Sequence, residues 1–149
     1  MRCVIQRVRH AKVVVDGRTV GEIGPGILAL VAVVEGDTPA QVDWMADKLV
    51  QMRIFRNDDG SRHFDRDIRA VAGSILLVSQ FTLAADTRRG RRPSFDPAAA
   101  PDVAHRLFDD LVAAVAARGV AVATGEFGAM MEVSLLNDGP ATFILDSSQ

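Results

Sequence analysis

The hydrophobic pattern divides the 149-residue chain into short strands and two helices. Residues 2–8 alternate loosely, as a half-buried strand does. The stretch "AKVVVDGRTVGEI" is β-branched on both sides of Asp16-Gly17, a strong short-range hairpin signal. Gly24-Pro25-Gly26 reads as a turn. The eight apolar residues "ILALVAVV", 27–34, then predict a strand buried on both faces. A helical period follows, with Val42, Met45, Ala46, Leu49 and Val50 on one face. Thr38 stands as its N-cap, Pro39 as its first helical residue and Gln41 as the partner in a capping box. Residues 53–55 predict a short strand closed by the turn "NDDG", and 61–73 carry no clear period.

Residues 74–82 predict another strand, followed by a long loop. A second helix starts at Pro101, with Ala104, Leu107, Phe108, Leu111, Val112 and Val115 as its apolar stripe and Gly119 just past its end. Residues 120–124, 130–136 and 141–145 complete the strands. The order β-β-β-α-β-β-α-β-β-β predicts a single α/β domain over 1–149, a layered β/β/α arrangement of mixed sheet covered by two helices.

Composition narrows the function. Hydrophobic residues make up 48% of the chain and charged residues 24%, a globular balance. With seven Phe, one Trp and no Tyr, extensive base-stacking platforms are excluded. A net charge of −2 confines any nucleic-acid contact to a local patch. The lone Cys3 excludes an internal disulfide and a cysteine metal cage, and it fits a buried thiol in a reducing compartment. The N-terminus lacks the apolar core of a signal peptide. No apolar run is long enough to span a bilayer, so a cytoplasmic protein is expected. His10, His63 and His105 are scattered without ligand spacing, and His105 reads as a surface residue. No metal or cofactor is expected.

Three stretches carry candidate chemistry. In "VSQFTL" the polar Ser79, Gln80 and Thr82 close an otherwise apolar strand. Strand alternation puts Gln80 and Thr82 on one face and Ser79 and Phe81 on the other. A strand end emerging into solvent is the simpler account; a polar lining that holds an ester carbonyl or its oxyanion is the functional one. "TRRGRRPSF" sets Arg88, Arg89, Arg91 and Arg92 around Gly90 with no acid among them. That is either a solvated charged loop or a contact for RNA phosphates. In "SLLNDGPATFIL" a proline follows Asp138-Gly139 between two strand-like runs that would otherwise read as a hairpin. The segment is either an ordinary loop or a cis Gly-Pro bend, since cis costs an X-Pro bond only about 0.5–1 kcal/mol.

Together, "VIQRV", "GEIGPGIL", "RIF", "VSQFTLAADTRRGRRPSF" and "EVSLLNDGPATF" resemble the D-aminoacyl-tRNA deacylase family over nearly the whole chain. The specific pair of motifs is Ser79-Gln80-x-Thr82 with Asn137-x-Gly139-Pro140-x-Thr142. The resemblance implies an enzyme that hydrolyses the ester of D-aminoacyl-tRNA, and of glycine misplaced on tRNA-Ala, while rejecting L-aminoacyl esters. It implies a homodimer with active sites at the subunit interface. A Gly-cis-Pro at Gly139-Pro140 of one subunit would enter the pocket of the other and present backbone carbonyls there. Ser79, Gln80, Phe81 and Thr82 would line that pocket as catalytic residues, with Phe127 and Met131 in its wall. Arg88, Arg89, Arg91 and Arg92 would contact tRNA. Thr82 is either the nucleophile or a bystander to hydrolysis assisted by the terminal 2′-OH, with backbone N–H groups near Phe81 and Thr82 binding the oxyanion; the second scheme is preferred. Arg62-His63-Phe64 and Met130 depart from the family pattern. A non-catalytic tRNA-binding module and a small-molecule esterase are the rival readings.

Overall fold

The computed structural model describes residues 1–88 and 90–148. Its strands are β1 (Arg2–Val15), β2 (Arg18–Ile23), β3 (Gly26–Ala32), β4 (Ser74–Ser79), β5 (Ala121–Thr124) and β6 (Glu132–Asp146). Its helices are α1 (Pro39–Gln51) and α2 (Pro101–Ala117). All six strands join one mixed sheet. β1 is antiparallel to β2, β3 and β6, whereas β3, β4 and β5 run parallel. The expected mixed sheet under two helices is present, as one curled sheet.

The curl follows from β1. β6 runs along almost its whole length, while β3 pairs with residues 2–8 and β2 with residues 11–15. The first half of β1 packs Cys3 and Ile5 into the core beneath the helices. The second half turns Val8, Ala11, Val13 and Val15 into a second core with Leu28, Leu76 and Val78. β3 and β4 therefore face apolar surroundings on both sides, which is why residues 27–34 read as continuously hydrophobic. At the far edge β2 closes on β5. A Cβ at Gly21 would lie 2.1 Å from the Thr124 carbonyl oxygen, so only glycine permits this approach.

The helices behave as the sequence predicts. The Thr38 side chain accepts from the Ala40 N–H, and the Gln41 side chain accepts the Thr38 N–H at 2.9 Å. Both apolar stripes are buried against the sheet, except that Val112 of α2 is only half-buried. Arg118, one residue past α2, donates through Nε to Asp47 of α1 at 2.8 Å and ties the helices together. Cys3 is fully buried, and burial pushes its thiol pKa far up.

Three expectations need correction. Residues 53–55 form no strand; Phe55 makes only an isolated bridge to Arg66. The strand expected over 74–82 stops at Ser79, and residues Phe81–Ala84 form a 3-10 turn, so the two-face alternation of Gln80 and Thr82 does not hold. The runs 130–136 and 141–145 do not pair with each other. Both belong to β6 and both pair with β1.

Gly21→Ala is expected to destabilise the protein by about 1–3 kcal/mol, because the added methyl meets backbone that cannot step aside. Urea unfolding of the two proteins measures it.

Candidate functional site

An apolar cavity of about 290 Å³ opens at the carboxyl ends of the parallel strands β3 and β4, where sheets of this kind place ligands. Val31 and Val33 form its floor with Val78. The start of α2 supplies Ala104 and Phe108, and the segment between β5 and β6 supplies Phe127 and Met131. Ser79, Gln80 and Phe81 stand at its rim. Among the described residues that line it, only Ser79 and Gln80 carry polar side chains and none is ionisable. No cluster of His, Cys, Asp and Glu among the described residues could hold a metal ion.

The 3-10 turn supplies backbone donors at this rim. Its first internal bond runs from the Leu83 N–H to the Gln80 carbonyl at 3.1 Å. The Phe81 and Thr82 N–H groups precede that bond and have no acceptor within the turn. Thr82 itself does not line the cavity; its hydroxyl accepts from the Gln80 side-chain amide. Phe81 is 58% exposed and meets Phe95 edge-on at 5.0 Å. Met130 projects from the rim almost fully exposed.

His105 is a surface residue, as expected, but it also backs the cavity wall. Its ring stacks on Phe127 at 4.3 Å with 7° between planes, and its Nε2 lies 3.6 Å from Asp109. The i to i+4 spacing of His105 and Asp109 marks them as neighbours on α2; nothing in the sequence connects either to Phe127.

Gly139 and Pro140 lie outside this cavity, in an outward bulge of β6. Opposite the single residue between Gln6 and Val8, β6 spends four, Asp138 to Ala141, before the ladder resumes. The Gly139–Pro140 peptide is cis, as the sharper sequence reading expects. The bulge is held from both ends. The Asn137 amide donates to the Arg7 carbonyl at 2.9 Å, and a Cβ on Gly139 would come within 2.5 Å of the Asn137 side-chain oxygen. Arg7, 2% exposed, donates through Nε to the Asp138 carbonyl at 2.9 Å and through one terminal nitrogen to the carbonyls of Ile54 and His63. Its guanidinium also lies 3.2 Å from the Asp138 carboxylate. Burial pulls the Arg7 pKa down and Asp138 pulls it back up.

The departing segment Arg62-His63-Phe64 is thus part of this support. His63 contributes its carbonyl, and Phe64 packs edge-on to Phe143 at 5.7 Å and sits under the Arg7 guanidinium. Arg7 is absent from the sequence-based site residues. Its signal is a charge in the inward register of Cys3 and Ile5.

The arginine loop is less uniformly cationic than its sequence. Arg88 donates to Asp86 through Nε and a terminal nitrogen at 2.9 and 2.7 Å. These bonds hold the Asp86 carboxyl well below the usual range. Arg91 and Arg92 are exposed and, among the described residues, have no carboxylate partner. With Thr87, Gly90 and Pro93 they border a hollow of about 180 Å³. Arg89 lies outside the described residues.

The sequence model of the D-Tyr-tRNA(Tyr) deacylase family matches residues 4–146. The chain belongs to that family. A D-aminoacyl-tRNA deacylase of Pelobacter propionicus is 56% identical over 98% of this chain and 99% of its own length. Another, from Chloroflexus aurantiacus, is 52% identical over 100% of this chain and 92% of its own. Among solved structures, the c-Myc DNA Unwinding Element Binding Protein superposes with a TM-score of 0.92 at 32% identity, covering 99% of both chains. A probable eukaryotic D-amino acid tRNA deacylase superposes at 0.84 over 97% of both chains with 20% identity, a likeness of fold.

Arg7→Ala is expected to lower stability by about 3 kcal/mol, since it removes the donor shared by the Asp138, Ile54 and His63 carbonyls and the cation nearest the Asp138 carboxylate. Arg7→Lys keeps a charge but not the fork and falls between the two. Urea midpoints of the three proteins provide the check.

Proposed function

We propose that the protein hydrolyses the ester bond of D-aminoacyl-tRNA and of glycyl-tRNA-Ala, releasing the amino acid, and rejects L-aminoacyl-tRNA. Full-length similarity to D-aminoacyl-tRNA deacylases supports the reaction class. The observation that carries the chemistry is the cavity: apolar, free of ionisable side chains among its described lining residues, and rimmed by a short turn whose first N–H groups have no acceptor within it.

The active unit is a homodimer in which the Gly139–Pro140 bulge of one subunit enters the cavity of the other. Two features favour it. The bulge projects from the sheet edge on a support that leaves Pro140 exposed. The outward face of β6 around it carries exposed apolar side chains, Leu136 at 49% and Ile144 at 75%, a surface that association would cover. Selection between enantiomers then rests on backbone atoms that cannot yield. Rigid main chain grips the α-amino group and fills the direction an L side chain would need. A D side chain points outward and glycine has none to clash, so the range of D-amino acids accepted is broad.

Hydrolysis proceeds by orientation and electrostatic stabilisation. The Phe81 and Thr82 N–H groups take the developing oxyanion, and Ser79 and Gln80 hold the ester near them. With no ionisable side chain among the described residues of the cavity lining, the terminal 2′-OH of the substrate assists the attacking water. Thr82 is no nucleophile: its hydroxyl accepts from Gln80, and among the described residues no base contacts it. Arg91 and Arg92, with Arg88 and Arg89 in the same loop, contact the tRNA backbone. That loop also gives tRNA the advantage over a small-molecule ester.

The purified protein is expected to release D-tyrosine from D-Tyr-tRNA and leave L-Tyr-tRNA intact; equal rates on both, or on neither, would refute the proposal. Thr82→Ala is expected to keep kcat within a few-fold of wild type, whereas a substrate ending in 2′-deoxyadenosine loses about 10²-fold or more. Single-turnover kinetics separate these outcomes.

A further inference from the structure

Three guanidinium groups converge on one carboxylate at the base of the bulge. Asp138 lies 3.2 Å from Arg7, and its other oxygen lies 3.9 Å from both Arg9 and Arg56. One negative charge faces three positive ones. The neighbouring arginines are matched singly, Arg62 with Asp65, Arg66 with Asp58 and Arg69 with Asp67. Arg56 contributes to lowering the Arg7 pKa, as an unneutralised neighbour does.

The three arginines have different prospects. Arg7 is buried, and its donors are taken by carbonyls and by Asp138. Arg9 and Arg56 have side chains 70% and 45% exposed. At 3.9 Å neither forms a hydrogen bond with Asp138. Both forks remain open to an oxyanion, and a phosphate matches the planar, bidentate geometry of guanidinium.

We propose that Arg9 and Arg56 form a phosphate-binding site for the single-stranded 3′ end of tRNA. The proposal rests on the reading that the Gly139–Pro140 bulge enters the cavity of a second subunit. On that reading the bulge carries Arg9 and Arg56 to the mouth of the cavity where the aminoacyl ester lies. The nearest polyanion there is the backbone leading to the terminal nucleotide. One subunit then holds the ester in its cavity while the other holds the strand that delivers it.

The test compares wild type, R9A/R56A and R9K/R56K on D-aminoacyl-tRNA and on D-aminoacyl-adenosine, which has no internucleotide phosphate. The alanine pair is expected to raise KM for the tRNA about tenfold with kcat little changed. It should also flatten the salt dependence of binding by one to two in log–log slope, as the loss of about two phosphate contacts does. The lysine pair recovers most of the loss. All three proteins hydrolyse D-aminoacyl-adenosine alike. An equal defect on both substrates, or none on tRNA, overturns the proposal. If wild type hydrolyses neither substrate, the deacylase reading fails by itself. Filter binding of uncharged tRNA then decides the site: weakened retention of R9A/R56A sustains it, and unchanged retention removes it.

Discussion

The structure turns on the buried guanidinium of Arg7. Arg7 occupies an inward position of β1 where its parity neighbours Cys3 and Ile5 are apolar, and a charge there is tolerable only with its donors satisfied. Its partners are three main-chain carbonyls: one from the bulge, one from Ile54 two residues past the C-cap of α1, one from the irregular segment beyond. The same guanidinium therefore compensates the broken ladder of β6 and anchors a stretch with no repeating structure. The bulge is a fixed element because its polar groups are accounted for on one side by Arg7 and on the other by Asn137.

The cavity is fixed by a different means. Its walls are side chains from the ends of β3 and β4, the first turns of α2 and the link into β6. They are held by packing, with the His105 ring laid flat on Phe127 from outside. A cavity with no ionisable side chain among its described lining residues is poorly suited to general acid–base chemistry by side chains. The backbone donors of the short turn after β4 supply the polarity that the side chains do not.

Much of this was legible in the sequence. The Asp16-Gly17 hairpin, the doubly buried β3 and the capped α1 follow from local turn chemistry and periodicity. What local pattern could not supply was partnership. The runs either side of Asp138-Gly139-Pro140 look like hairpin arms, yet both lie along β1, because β1 is long enough to serve both. Ser79 to Thr82 looks like a strand end, and the chain turns at Phe81 instead, where β3 no longer offers a neighbour. The acid that occupies Arg88 sits just outside the arginine run, at Asp86, and its pairing depends on how the loop folds back. Phe127 and Met131, which the family resemblance implies, both line the cavity, whereas nothing in the sequence points to His105.

Cys3 has a practical consequence. The thiol lies in the strand that holds the rest of the sheet, with β3 on one edge and β6 on the other. An alkylating reagent reaches it only when β1 has left both neighbours. The chain thus carries a native probe of whole-sheet opening, and its lone thiol stays inert to cross-linking for as long as the sheet holds.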